Sequence, residues 1–510
     1  MSCTRRIVSV IALVLILVAG FVLGSAVFTP ANAADITWGG NYRIEAVKIK
    51  NPELSSADSN KSYLLNHLTL NPKIVAADGL TIYSRLDILN NRQAGISQFG
   101  SVYSVAGDFL GQGPNPNGNA TAASGQDSNA LSRTQRSADL AITSLYMSWA
   151  QEFGQLVVGR VPMQFGLGTA FNAGTGLFDH YIDTKDMVAY KVVFGNLFVM
   201  PMIGKVSEGQ VGDEDDINDY VLQVQYDNPE SELSLGAIYQ TRIGTHQGND
   251  TPLDQNAGGG NTANPVVPAT RADGFKNTLI GVFSTQKVGD FKIGLEADML
   301  SGDTGLRSAT GNGVSLNAYG FAGELGWSPT DRKYSALLKA GFASGDDPGT
   351  TDSYEGFAFS RNYDTGLLMF NHPLGQADFL RTGMVRGTGT NNAGQPAGSG
   401  ASNVRNEIDT EAISNVIYVA PSFQYRQRDN LSYGTTFVYG MLNKDPITGA
   451  NASKQLGYEL DFNVTYKPID RLTWVTEAGV LFPGEAWQGG NRGFKNKLTY
   501  GVVTKAAINF

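Results

Sequence analysis

The chain is poor in cysteine, histidine and long hydrophobic runs. Its single cysteine, Cys3, lies in an N-terminal segment that we predict to be removed, so the mature chain would hold no thiol, disulfide or cysteine-ligated metal. The four histidines include no i, i+4 pair, which excludes a helical zinc site of the H-E-x-x-H type. Beyond the N-terminal segment no run approaches twenty apolar residues, so a membrane crossing would have to use strands.

The N-terminus has the order of a secretory signal peptide. Arg5 and Arg6 precede an apolar run over 7–23, and small residues follow at 31–33. We therefore predict a cleaved signal peptide over 1–33 and one mature domain over 34–510. The alternative is a retained membrane anchor, because the apolar run is close to spanning length. Cleavage would change the formal net charge from −9 to −11, and this acidic balance disfavours nucleic acid as a partner.

Few stretches of the sequence have the periodicity of a helix. Instead, apolar and polar residues alternate in steps of two, as they do in strands. With 61 glycines, 21 tyrosines and 25 phenylalanines, the composition is that of a large, loop-rich all-β protein. In the last stretch, the even-numbered positions from Leu498 to Phe510 are mostly apolar, whereas the odd-numbered positions are mostly polar. An ordinary amphipathic edge strand would show the same pattern, so the rest of the chain must decide.

Eighteen such strands can be counted from residue 35 onward. Short turns such as Asp78-Gly79 alternate with longer connections, of which the largest are 90–138, 244–274 and 344–410. The pattern predicts a transmembrane antiparallel β-barrel of about 18 strands, with short periplasmic turns and long extracellular loops. A soluble sandwich or propeller also has many alternating strands, but it has no reason to keep every long loop on one side.

The polar faces of these strands predict a wet lumen. The positions that we predict to line a channel are Arg43, Glu45, Arg85, Asp87, Lys191, Arg242, Lys292, Glu296, Asp298, Lys339, Arg426, Glu459, Asp461 and Glu477. Further inward positions are Lys73, Asp219, Glu324, Lys467 and Lys505. The whole set holds ten basic and nine acidic residues, so the predicted wall is balanced in charge.

The connection 162–186 is predicted to fold into the lumen as a constriction. Its glycines permit an inward bend, and its three phenylalanines could pack on the inner wall. Its charged residues, Asp179, Asp183, Lys185 and Asp186, would then project into the narrowest point and make the pore mildly cation-preferring. The alternative is an ordinary loop at the outer rim.

Groups that could carry catalysis or bind a metal are few. The charged residues around His180 could in principle hold a metal, but charges on a loop beside a pore are more often solvated or paired. The acidic run 213–216 with Asp219 lacks the glycine and terminal glutamate of an EF-hand loop, which leaves only a loosely bound calcium, shared with lipopolysaccharide phosphates, as an alternative. We therefore predict no catalytic residue, no metal site and no cofactor.

Two short motifs carry a resemblance to a known family. Gly159-Arg160 at a strand exit and Ala343-Ser344-Gly345-Asp346, together with the signal segment and the terminal Phe510, are similar to features of eighteen-stranded outer-membrane porins of the alginate-export type. That resemblance implies a channel lined by arginines and lysines for an anionic polymer. The balanced wall of this chain departs from that pattern, so polymer export is not carried over.

These observations together predict a Gram-negative outer-membrane porin that lets ions and small hydrophilic solutes diffuse. Its expected partners are outer-membrane lipid, lipopolysaccharide and such solutes, and the terminal Phe implies recognition by the barrel-insertion machinery. The alternatives are a substrate-specific sugar or polysaccharide export channel, a barrel enzyme, and a structural or adhesive barrel plugged by its own loops.

Overall fold

The structure is a computed structural model. It describes residues 35–52, 54, 60–88, 140–207, 217–244, 274–307, 312–330, 332–345, 347, 350, 352–372, 374, 412–444, 453–488 and 497–510. The predicted signal peptide, the connection 90–138 and the acidic run 213–216 lie outside the described residues, as does most of 244–274 and of 344–410.

Most of the described chain forms strands. They are β1 (Asp35–Thr37), β2 (Gly40–Lys50), β3 (Asn60–Leu70), β4 (Lys73–Ala77), β5 (Leu80–Ile88), β6 (Leu140–Gln151), β7 (Gly154–Pro162), β8 (Thr184–Phe194), β9 (Leu197–Ser207), β10 (Ile217–Asn228), β11 (Leu233–Gly244), β12 (Phe275–Val288), β13 (Phe291–Arg307), β14 (Gly313–Trp327), β15 (Tyr334–Ala343), β16 (Ser353–Tyr354), β17 (Val416–Arg428), β18 (Leu431–Leu442), β19 (Gln455–Ile469), β20 (Leu472–Pro483) and β21 (Thr499–Asn509). A short 3-10 helix covers Glu485–Gln488.

The strands close into one antiparallel barrel. Apart from the short β1, β4 and β16, eighteen strands each pair with two neighbours, and β2 closes the ring by pairing with β21 in the register Ile44↔Ala506. This confirms the predicted fold and strand number. Among the described residues no helix is long and apolar enough to cross a membrane.

The first two barrel strands, β2 and β3, are interrupted near the short-turn end. The short β1 precedes β2, and the short β4 follows β3. β3 stops before Asn71-Pro72 and β4 continues behind it, because proline has no N–H to donate to a ladder. The carbonyl of Pro72 still accepts the amide of Ser84 at 3.1 Å, and β1 pairs with β4 along the rim. The two extra short strands are therefore continuations of barrel strands rather than new members of the ring.

The outer face of the barrel is apolar and aromatic. Large exposed side chains on this face include Phe153, Phe194, Phe291, Tyr334, Tyr425 and Tyr466 near the short turns, and Tyr319, Tyr458, Phe482 and Tyr500 toward the long connections. An apolar surface that runs around a whole molecule is unfavourable in water and suits the hydrocarbon of a bilayer, with aromatic rings at its two interfaces.

The buried core lies inside the barrel. Phe165 and Phe171 from 163–183 pack there with Phe357, Phe359 and Leu368 from 352–374, all at most 2% exposed. An eighteen-stranded wall encloses more space than its own side chains fill, so connecting segments can occupy part of the lumen.

Candidate functional site

One connection crosses the lumen beside its wall. We call residues 163–183, between β7 and β8, the first inward segment. The backbone amides of Leu167, Gly168, Thr169 and Ala170 donate to the carboxylate of Glu296 on β13, with N···O distances of 2.5–3.4 Å. This turn needs glycine, because Gly166 has a φ of 46° and a Cβ there would lie 2.7 Å from the Glu296 carboxylate.

The other end of the first inward segment is fastened to the nearly opposite wall. Arg85 on β5 donates to the carbonyl of Gly174 at 2.8 Å, and Arg43 on β2 donates to the carbonyl of Asp179 at 2.5 Å. Glu45, also on β2, hydrogen-bonds the His180 ring at 2.6 Å. The structure thus places this segment inside the barrel, held by charged side chains of both walls.

A second segment lies in the lumen and is also held by carboxylates of the wall. We call residues 352–374 the second inward segment. The amides of Leu368 and Met369 donate to Glu459 on β19 at 2.6 Å each, and the amide of Leu367 donates to Asp461 at 3.0 Å. Asp298, two residues after Glu296, accepts the hydroxyl of Thr169 at 2.8 Å. Each inward segment is therefore bound to a Glu-x-Asp pair on an inner wall, mostly through backbone amides.

The two inward segments also bind each other. The amide of Ser360 donates to the carbonyl of Thr169 at 2.7 Å, and the side chain of Asn362 accepts from the amides of His180 and Tyr181 at 3.3 and 3.1 Å. Together they form a bridge across the lumen whose interior is apolar and whose edges carry charge.

The second inward segment was not predicted from the sequence. Its signals were the Glu-x-Asp spacing, which occurs on both inner walls, and the Gly-Leu pairs at 166–167 and 366–367 that meet it. Neither signal has meaning until the folded barrel brings a loop and a distant strand together.

Charged side chains with access to water line the lumen beside the bridge. Lys339 pairs with Glu324 at 3.3 Å, and Lys505 pairs with Glu477 at 2.7 Å. These four side chains keep 19–24% of their surface exposed, which shows that water reaches the middle of the barrel. Burial raises the pKa of Asp179 above its ordinary value, although the nearby guanidinium groups of two arginines oppose this.

The four charged residues predicted for the constriction do not lie together. Asp179 is partly exposed in the lumen, whereas Asp183 is buried and accepts the amide of Asn172 at 2.7 Å. Lys185 is buried as well, and its amine lies 3.0 Å from the carboxylate of Asp219. These two side chains are part of the packed interior, not of a water-filled passage.

Asp186 departs furthest from the prediction. It pairs with Arg160 at 2.7 Å, and both lie on the face of the exposed Val188, outside the barrel. The reason is that β8 already begins at Thr184, so residue 186 takes its face from strand alternation. The expected excess of three carboxylates over one lysine is therefore corrected to one lumen-facing carboxylate, Asp179.

All fourteen predicted wall residues take the inward face, opposite the exposed apolar side chains. Several are ion-paired or anchor a segment: Arg43 with Glu45 at 3.2 Å, Arg85 with Asp87 at 3.1 Å, and Arg242 with Asp219 at 2.9 Å. In the part of the chain that the structure describes, no three acidic, histidine or cysteine side chains converge on a point where a metal could bind.

Comparisons with models of known families and with curated proteins find no match. Among solved structures, OccK8 (OprE) of Pseudomonas aeruginosa aligns over 93% of this chain and 98% of its own, with 10% identity and a TM-score of 0.48. The outer membrane protein opdK of the same organism covers 93% and 99%, with 10% identity and a TM-score of 0.45. OmpT, an outer membrane protein of Vibrio cholerae, covers 95% and 100%, with 12% identity and a TM-score of 0.36. At these values the barrel rests on its own strand pairing, and nothing about a solute is taken from these proteins.

Proposed function

We propose that this protein is a channel of the Gram-negative outer membrane through which ions and small hydrophilic solutes diffuse. The observation that carries the proposal is the bridge of two inward segments, which is fastened to both walls and yet leaves paired, water-exposed charges beside it. A constriction lined by charges inside a closed barrel with an apolar exterior is the construction of a selective diffusion pore.

The proposal includes the route and the surroundings of the protein. Residues 1–33 would be removed during secretion, the barrel-insertion machinery would recognise β21 with Phe510, and lipid and lipopolysaccharide would surround the apolar exterior. No catalytic residue or cofactor takes part. The alternatives are a substrate-specific sugar or polysaccharide export channel and a structural barrel sealed by its own segments. A wide polymer conduit fits poorly with the apolar packing of the two inward segments.

Planar bilayer recordings test this function. The purified protein should conduct ions in discrete steps in potassium chloride. Exchange of Asp179 for Asn should shift the reversal potential in a salt gradient toward anion preference, because it removes a carboxylate from the constriction. Asp186→Asn is the matched control on the outer face and should leave the reversal potential unchanged. A correctly folded protein that conducts no ions would be a sealed barrel.

A further inference from the structure

The charges of the inner wall are sorted along the barrel axis, although their numbers are balanced. Each of the nine carboxylates predicted for the wall is occupied, either in an ion pair with a wall side chain or by holding an inward segment. Their basic partners, such as Lys339 and Lys505, lie in the middle of strands. Although the predicted wall has ten bases and nine carboxylates, some of its bases therefore have no carboxylate partner in this set.

Five inward bases form no ion pair with any carboxylate among the described residues: Lys73, Lys191, Lys292, Arg426 and Lys467. All five lie close to short turns. Lys292 is the second residue of β13, whereas Arg426 and Lys467 each stand two residues before the end of a strand. Short turns face the periplasm in such barrels, so these five bases lie at the periplasmic mouth of the lumen.

A cavity of about 430 Å³ lies in this mouth. The strand register brings its lining residues together. Arg426 pairs with Ser432, and Ser432 pairs with Thr465, across β17, β18 and β19. Its charged lining is Lys333, Arg426, Arg428, Lys467 and one acidic residue, Asp429. Ser335, Gln424, Ser432 and Thr465 add hydroxyl and amide groups to the lining. The remaining lining residues are Tyr334, Asn430 and Leu431.

We propose that this cavity binds a small multivalent oxyanion, such as a phosphate- or carboxylate-bearing solute, at the periplasmic mouth of the channel. Guanidinium groups bind such oxyanions through paired N–H donors, and lysines add compact positive charge. A cleft with protein walls also focuses the field of its charges and concentrates counter-ions. The proposal rests on the proposed channel function and adds the class of solute to it.

The lumen-facing side of the cavity favours a free solute over a lipid headgroup. Ser335, Gln424, Arg426, Thr465 and Lys467 alternate with the exposed apolar residues of their strands, so they face the lumen and not the bilayer. A dissolved anion in the periplasmic mouth can reach them directly.

Calorimetric titration of the full-length protein in detergent with inorganic phosphate, at constant ionic strength in sodium chloride, tests the site. The wild type should bind phosphate, and R426Q/K467Q should bind it at least about tenfold more weakly, since it loses two charge-assisted hydrogen bonds. K287Q is the control, because Lys287 lies near the same rim but pairs with Glu232 at 2.9 Å. It should bind phosphate as the wild type does. Heat-modifiable migration on a gel shows that each variant is folded.

Reversal potentials in bilayers separate this inference from the channel function. The reversal potential of R426Q/K467Q should shift toward cation preference relative to wild type and K287Q, because two positive charges are removed from the mouth. Phosphate binding that is equal in the wild type and the double variant would overturn the proposed site. A wild type that conducts ions but binds no phosphate would also overturn the site while leaving the channel function intact. Phosphate binding that the double substitution abolishes, in a protein that conducts no ions, would support the site and remove the channel function.

Discussion

Asp219 shows how a single inward residue can stabilise a barrel without being exposed to its pore. It is 1% exposed and lies between the guanidinium of Arg242 at 2.9 Å and the amine of Lys185 at 3.0 Å. Lys185 also lies 5.0 Å from the ring centre of Phe171, which belongs to the first inward segment. The buried carboxylate thus holds two cations together. Through one of them, Lys185, it is linked to the first inward segment.

Replacing Asp219 by Asn should be strongly destabilising. It would remove the carboxylate that two buried cations share, and breaking a buried ion pair in this way costs about 3–5 kcal/mol. The matched control is Glu232→Gln. It breaks the exposed pair with Lys287 and should cost at most about 1 kcal/mol. Guanidinium unfolding of both variants in lipid vesicles measures the two free energies. Equal losses would show that the buried cluster contributes no more than a surface pair.

At the scale of elements, the two inward segments are held by carboxylates rather than by packing alone. Glu296 accepts four backbone amides of the first segment, and Glu459 accepts two of the second. A hydrogen bond to a charged group contributes about 1.5–3 kcal/mol, about twice the value for a neutral pair. Glu296 and Glu459 therefore each fasten one part of an inward segment to the wall.

Replacing Glu296 by Gln should loosen the first inward segment. A side-chain amide offers one acceptor oxygen where the carboxylate offered two, so part of the amide cluster loses its partner. We expect larger and noisier single-channel currents, together with faster proteolysis within 163–183. Glu324→Gln is the control, since it removes an inward carboxylate that pairs with Lys339 and accepts no backbone amide among the described residues. If both variants gave the same current noise, the amide cluster would not be what holds the segment.

At the scale of the whole molecule, the barrel closes where its first and last strands, β2 and β21, meet. The amide of Gly40 donates to the carbonyl of Phe510 at 2.9 Å, and the amide of Phe510 donates back to Gly40 at 3.1 Å. A Cβ on Gly40 would lie 2.5 Å from the carbonyl oxygen of Thr69 and 2.6 Å from the ring of Phe510. The last aromatic residue thus occupies space that only glycine leaves free.

Replacing Gly40 by Ala, or deleting Phe510, should reduce the yield of closed barrel. The clash involves backbone, which cannot turn aside as a flexible side chain can, and the deletion removes both closing hydrogen bonds. Gly313→Ala is the control for the first change, because a Cβ there would meet nothing within 4 Å. The measurement is the fraction of heat-modifiable protein after folding into detergent. Unchanged fractions for Gly40→Ala and the deletion would mean that closure does not depend on this contact.

The sequence alone determined the barrel and the face that each wall residue takes. Alternation in steps of two is a local property, so it places Arg43, Glu296 and Glu459 inward without knowledge of their neighbours. Short turns and long connections are local as well, and they yield the number of strands and the side on which each connection lies.

Only the tertiary structure decided which charges meet. Glu45 binds His180 across 135 positions of sequence, and Glu296 binds amides that lie almost as far away. Such contacts depend on how strands are ordered around the ring, which no local pattern contains. For the same reason a balanced count of charges concealed both the bridge of two inward segments and the unpaired bases at the periplasmic mouth.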